Sequence, residues 1–183
     1  GIVYPPVDTE IFKPRSKKKK GVLLYLGSNA GDTESSLIEE ICELLINKNQ
    51  KVSLLGNKRL AEKLSSTFGD HLHHISGVTD KDLSLIYSQS RLTICPQQWE
   101  QFGYVVAESM ACGTPVIAFN YMGPAEIIED KKVGYLVNTN DQFLNKIEEI
   151  LDYRVGIKRS IVRKYSKRFS MKSSTEELCN ILE

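Results

Sequence analysis

Six short apolar runs alternate along this chain with stretches whose apolar residues fall at helical spacing, and that alternation limits the fold more than any other feature. The runs are VLLYLG (22–27), VSLLG (52–56), LHHIS (72–76), LTICP (92–96), PVIAF (115–119) and GYLV (134–137). A run apolar at successive positions suits a strand covered on both faces, where alternation with polar residues is not required. Parallel neighbours need crossover connections, and helices between the runs supply them. Between 34 and 47, Leu37, Ile38, Ile41, Leu44 and Leu45 share one helical face. Further helices are expected over 58–68, 80–89 (with Thr79 or Asp80 as N-cap), 103–112 and 124–130. Two or three more, over roughly 140–152, 155–168 and 173–182, close the chain. The pattern predicts an α/β fold, a mostly parallel sheet of about six strands with helices on both faces.

A length of 183 residues suits one domain. Residues 1–20, with Pro5, Pro6 and Pro14, read as an extended inter-domain segment. Residues 21–152 form the sheet domain, and 153–183 form helices packed on it. The start at Gly1 suggests a piece of something longer. With 24 Lys plus Arg against 23 Asp plus Glu, nothing favours a nucleic-acid partner. Cys42, Cys95, Cys112 and Cys179 include no CxxC pair and read as buried small residues of a reducing, cytoplasmic compartment. His71, His73 and His74 have no cysteine or carboxylate set around them, and no metal is expected.

In such sheets ligands sit beyond the carboxyl ends of the strands. The first turn there, GSNAGD (27–32), is neither GxGxxG nor a GK[ST] loop, though its amides suit a phosphate. The richest loop follows Cys95-Pro96 and carries Trp99, Glu100, Gln101 and Phe102 ahead of a helix starting near Gly103. Amides of Phe102, Gly103, Tyr104 and Val105 at that helix start form an anion site. Glu108 lies a turn further on beside Val105, Val106, Ala107, Met110 and Ala111, which are core types, so it needs a partner there. Trp99 reads as a lid or packing residue before a substrate platform.

Glu100 and Glu108 bracket seven residues, and EQFGYVVAESMACGTPVIA resembles the E-x7-E region of the retaining glycosyltransferases of family 4. VYPPVDTEIFKP (3–14), SGVTDKDLSLIYSQSRLTICPQQWEQFG, GPAEIIEDKKVGYLV and RFSMKSSTEEL (168–178) resemble other segments of that family in the same order. The resemblance implies the C-terminal, Rossmann-like half of a GT-B fold, which binds a nucleotide-sugar donor, while an N-terminal domain absent from this sequence binds the acceptor. It implies a retaining hexosyl transfer without metal or cofactor. Glu100 would face the transferred sugar and Glu108 would accept from the ribose hydroxyls. Amides of Phe102, Gly103 and Tyr104 would hold sugar hydroxyls, those of Tyr104 and Val105 the diphosphate, and Gly77-Val78 would border the base. Gln101 and the Gly27, Ser28, Asn29 turn complete the donor set. GDP-mannose is the first donor expected and a UDP-hexose the second. A lipid-linked acceptor would bring peripheral membrane contact through Lys17–Lys20, against the plainer reading of a solvated run.

One departure stands out. The family usually carries an Arg directly after the first strand's glycine and a Lys soon after, both on phosphate. Here Gly27 is followed by Ser28, with Asp32 and Glu34 nearby. Two lost charged hydrogen bonds, at about 1.5–3 kcal/mol each, would cost roughly 10²–10⁴ in donor or transition-state binding. Lys58 and Arg59, after the second strand, are the candidate replacements. The alternative is a catalytically weak or inactive member acting as a nucleotide- or partner-binding subunit, with a 2-epimerase of similar architecture behind it.

Overall fold

The computed structural model describes residues 2–28, 35–153 and 156–182. Its centre is a six-stranded parallel sheet in the order β3-β2-β1-β4-β5-β6, with strands β1 Gly21–Tyr25, β2 Val52–Leu55, β3 Leu72–Ile75, β4 Ser90–Cys95, β5 Val116–Phe119 and β6 Tyr135–Val137. The chain starts in the middle, winds to one edge, returns beside β1 as β4, and winds to the other edge. That reversal opens a crevice between the carboxyl ends of β1 and β4.

Successive residues within each strand serve opposite faces. Val22, Leu24, Leu54, Ile94 and Ile117 join a core beneath helices α1 (Ser35–Asn47), α2 (Lys58–Phe68) and α6 (Asn140–Tyr153). Leu23, Tyr25, Cys95, Val116 and Ala118 join a second core beneath α3 (Asp80–Gln89), α4 (Tyr104–Ala111), α5 (Met122–Ile127) and α7 (Arg159–Ser166). Both faces being covered explains why β1 and β5 are apolar at successive positions, whereas the edge strand β3 carries an exposed His73.

Local chemistry sets the helix starts. Thr79 Oγ1 accepts from Asp82 N at 3.3 Å while Asp82 Oδ2 accepts from Thr79 N at 3.1 Å, a reciprocal cap on α3. Asn57 Oδ1 accepts from Leu60 N at 3.0 Å and caps α2. Several expected bounds shift. Gly103 takes the left-handed conformation (φ 97°), so α4 begins at Tyr104. The short helix expected over 124–130 is Met122–Ile127, and the helix expected over 155–168 is α7 followed by a 3-10 turn at Lys167–Phe169. Cys42, Cys95 and Cys112 are buried free thiols, whereas Cys179 is exposed on α8 (Met171–Leu182).

The leading segment is packed and turned as well as extended. Val7 N donates to Phe169 O at 2.7 Å, in a parallel bridge with Ser170. Asp8 Oδ1 accepts from the amides of Glu10 and Ile11, and Phe12 is buried with its ring 6.2 Å from that of Tyr87. Arg163 donates to Phe12 O at 2.9 Å, Ala111 O at 2.8 Å and Thr9 O at 2.9 Å. Arg159 reaches Cys112 O, Ser88 O and Ser16 O. Two guanidiniums thereby tie the leading segment to the carboxyl ends of α3 and α4, where carbonyls lack helical partners.

Candidate functional site

The carboxyl ends of the strands bring the loops after β1, β2, β4 and β5 into contact. The turn after β1 touches the turn after β2. Gly27 O accepts from Asn57 N at 2.9 Å, and a Cβ on Gly56 (φ +110°) would lie 2.4 Å from that same oxygen. Only glycine allows this approach. It starts α2, and therefore Lys58 and Arg59, beside the Gly27 turn; both side chains are exposed, and Lys58 Nζ lies 3.7 Å from the Glu62 carboxylate. Ser28 Oγ pairs with Tyr25 OH at 3.1 Å. Asn29, with Asp32 and Glu34, lies outside the described residues. Gly77 (φ +65°) and Val78 are exposed at the end of β3, ahead of the Thr79 cap.

The loop after β4 is fixed from two sides. Gln97 is 3% exposed and its Nε2 donates to Tyr25 O at 2.8 Å, which spans the crevice between β4 and β1. Its Oε1 is buried with no hydrogen-bond partner among the described residues. On the other side, Gly123 N donates to Glu100 O at 3.1 Å, and a Cβ on Gly123 would lie 2.0 Å from Phe102 O. Met122 accepts a positive φ of 49° to deliver Gly123 there. Glu100 is half-buried, Gln101 exposed, and Phe102 half-buried with its ring 5.1 Å from Tyr104 and 6.1 Å from Phe169.

No side chain caps α4. The amides of Tyr104 and Val105, in its first turn, have no intrahelical acceptor and suit an anion. Glu108 sits in the next turn, half-buried, and accepts from Tyr87 OH at 2.9 Å. Tyr87 is fully buried on α3 and is the partner that Glu108 requires. Burial pushes the Glu108 carboxyl up to about 7; the Tyr87 bond pulls it down, and Asp80 adds to the rise. Behind it, Ser109 Oγ pairs with Thr93 Oγ1 at 2.7 Å and donates to Thr114 O, while Thr114 Oγ1 donates to Tyr87 O at 2.6 Å. This buried chain of hydroxyls locks α4 in register on the sheet and on α3.

The site thus offers one loop carboxyl, one partly desolvated carboxyl held by a phenol, and an uncapped helix start between them. That set suits a polyhydroxylated anion, with donors for its charge and acceptors for its hydroxyls. Sequence reading misses Tyr87, Gln97 and the Met122-Gly123 turn; of these, only the turn's glycine is marked locally, and its contact partner lies 21 positions away in Phe102.

The family model "Glycosyl transferases group 1" matches residues 6–169. Spore coat protein SA of Bacillus subtilis is 32% identical over 123 residues, covering 62% of this chain and 32% of that protein. The GDP-Man:Man(3)GlcNAc(2)-PP-Dol alpha-1,2-mannosyltransferase of Dictyostelium discoideum is 27% identical over 181 residues, covering 84% of this chain and 35% of its own. The solved sucrose-phosphate synthase of Thermosynechococcus elongatus superimposes over 100% of this chain and 51% of its own with a TM-score of 0.81 at 21% identity, a likeness of fold. The chain spans about a third of the length of both curated relatives.

Proposed function

The chain belongs to the group 1 glycosyl transferases, and on that premise we propose that it binds the nucleotide diphosphate sugar from which a hexose is transferred, with retention, to a hydroxyl acceptor. The observation that carries this reading is Glu108, buried enough to be raised to about 7 yet held by Tyr87, one turn below the uncapped amides of α4. Ribose hydroxyls donate to Glu108. The diphosphate lies on the amides of Tyr104 and Val105, and the sugar hydroxyls on those of Phe102, Gly103 and Tyr104. Glu100 faces the sugar, Gln101 and the Gly27–Asn29 turn border the donor, and Gly77-Val78 meet the base. Lys58 and Arg59, starting beside the Gly27 turn, supply the cations that Ser28 does not.

The leaving diphosphate is stabilised by helix amides and these side chains, an electrostatic device that acts where charge develops. GDP-mannose is the favoured donor, supported by the GDP-Man named for the Dictyostelium relative, with a UDP-hexose next. Transfer needs an acceptor domain that this stretch does not supply, and isolated it binds nucleotide without efficient transfer. A second reading, a nucleotide- or partner-binding member without activity, is favoured by the Gly27-Ser28 departure alone.

Calorimetric titration of the chain with GDP, UDP, ADP and their sugars, beside Glu108→Ala, tests the reading. One nucleotide should bind, and Glu108→Ala should weaken it by about 10- to 100-fold, the worth of a hydrogen bond to a charged group. Equal affinity in parent and variant would remove Glu108 from the site.

A further inference from the structure

The one tryptophan of the chain, Trp99, is 68% exposed, although it lies beside the proposed catalytic Glu100. Tyr121, 49% exposed, stands against it at 5.5 Å between ring centroids and 88° between planes. The pair makes a right-angled aromatic corner over a groove of about 250 Å³. Phe119 contributes apolar lining, and Gln98, Asn120 and Asn138 contribute amide groups. Asn120 Nδ2 donates to Asn138 Oδ1 at 3.1 Å, which leaves an oxygen on Asn120 and a nitrogen on Asn138 for a ligand. Among the described residues, no lysine, arginine, aspartate or glutamate lines this groove.

We propose that this corner is a subsite for one uncharged sugar ring of an acceptor whose main seat is the N-terminal domain, separate from the donor nucleotide; the acceptor role rests on the transferase reading above. A pyranose presents an apolar C–H face and a rim of hydroxyls. The first matches an aromatic plane, the second a set of amides that both donate and accept. A phosphate or carboxylate would find no cation there. The volume lies below the roughly 300–1,000 Å³ of sites for drug-sized ligands and suits one ring. Trp99 is therefore a platform, and its exposure is the cost of keeping it open.

Because Trp99 is the sole tryptophan, its emission reports the site directly. The chain is titrated without nucleotide with methyl mannopyranoside and maltose, and with sorbitol as a polyol lacking a ring. The expected result is a saturable shift of Trp99 emission with one or both glycosides, at a dissociation constant of about 1–10 mM, absent with sorbitol and weakened at least several-fold in Tyr121→Ala and Asn138→Ala. Both substitutions sit on exposed side chains and leave the core intact. No saturable response to either glycoside, or one shared with sorbitol or unchanged in both variants, overturns the proposal. Nucleotide-sugar calorimetry is then repeated at saturating glycoside. Unchanged affinity supports a separate site, while competitive loss assigns the corner to the donor sugar and overturns it. If the glycosides saturate Trp99 but no nucleotide binds, the ring site stands and the donor reading, with the acceptor role built on it, fails.

Discussion

Glu108 combines two properties that pull against each other. Its carboxyl is raised to about 7 in the folded chain, from an ordinary 4.5. The folded state therefore holds that proton more tightly than the unfolded state. The resulting stabilisation is complete below about 4.5 and is lost as pH rises through about 7, an effect on the order of 3 kcal/mol. Glu108→Gln should accordingly melt higher than the parent at pH 8, with the difference shrinking toward pH 5 in thermal scans. Ribose hydroxyls need the ionised form, so nucleotide affinity should climb as pH passes through about 7, and that climb should vanish in Glu108→Gln. Tyr87→Phe removes the hydroxyl whose hydrogen bond favours the carboxylate. It should move the affinity midpoint to higher pH and weaken binding at pH 7, measurable by calorimetry across a pH series. A midpoint that stays in place would mean Tyr87 does not tune this group.

Among the elements, α4 and the first turn of α5 decide the geometry. A methyl at Gly123 would overlap the Phe102 carbonyl at 2.0 Å. Gly123→Ala should cost about 1–3 kcal/mol of stability, read by urea unfolding, and should weaken nucleotide binding because Phe102 and Gly103 must move. Much at this scale is legible in the sequence. The six strands follow from apolar runs, and the α3 start falls at one of the two caps expected there, Thr79 rather than Asp80, with the Asp82 half of the cap seen only in the structure. The position of Glu108 beside core types marks it as needing a partner. The partner itself, Tyr87, is not legible, because it lies 21 positions upstream on a helix whose rotation is set only by packing. The positive φ of Met122 is equally hidden, since methionine carries no preference for it and adopts it to deliver Gly123 to Phe102. The buried Gln97, joining β4 to β1, arises from the sheet order rather than from any local signal.

At the scale of the whole molecule, the leading segment is held by Arg159 and Arg163, which bond to its carbonyls and to those at the end of α4. Arg163→Ala leaves Phe12 O, Ala111 O and Thr9 O without that donor. Hydrogen exchange should then accelerate across residues 9–16 well before the sheet loosens, and equal protection in parent and variant would show that packing of Phe12 suffices. No helix among the described residues is long and apolar enough to cross a membrane. The bridge between Val7 and Ser170 has a mechanical meaning. The two segments run parallel, so tension drawing residues before Val7 and residues after Ser170 apart loads their pairing in shear rather than peeling it open. Phe169, whose carbonyl accepts from Val7 N, is buried, and Arg163 donates to Ala111 O at the end of α4. Arg163 thereby joins the carbonyls of Thr9 and Phe12, just beyond that seam, to the end of the helix that carries Glu108.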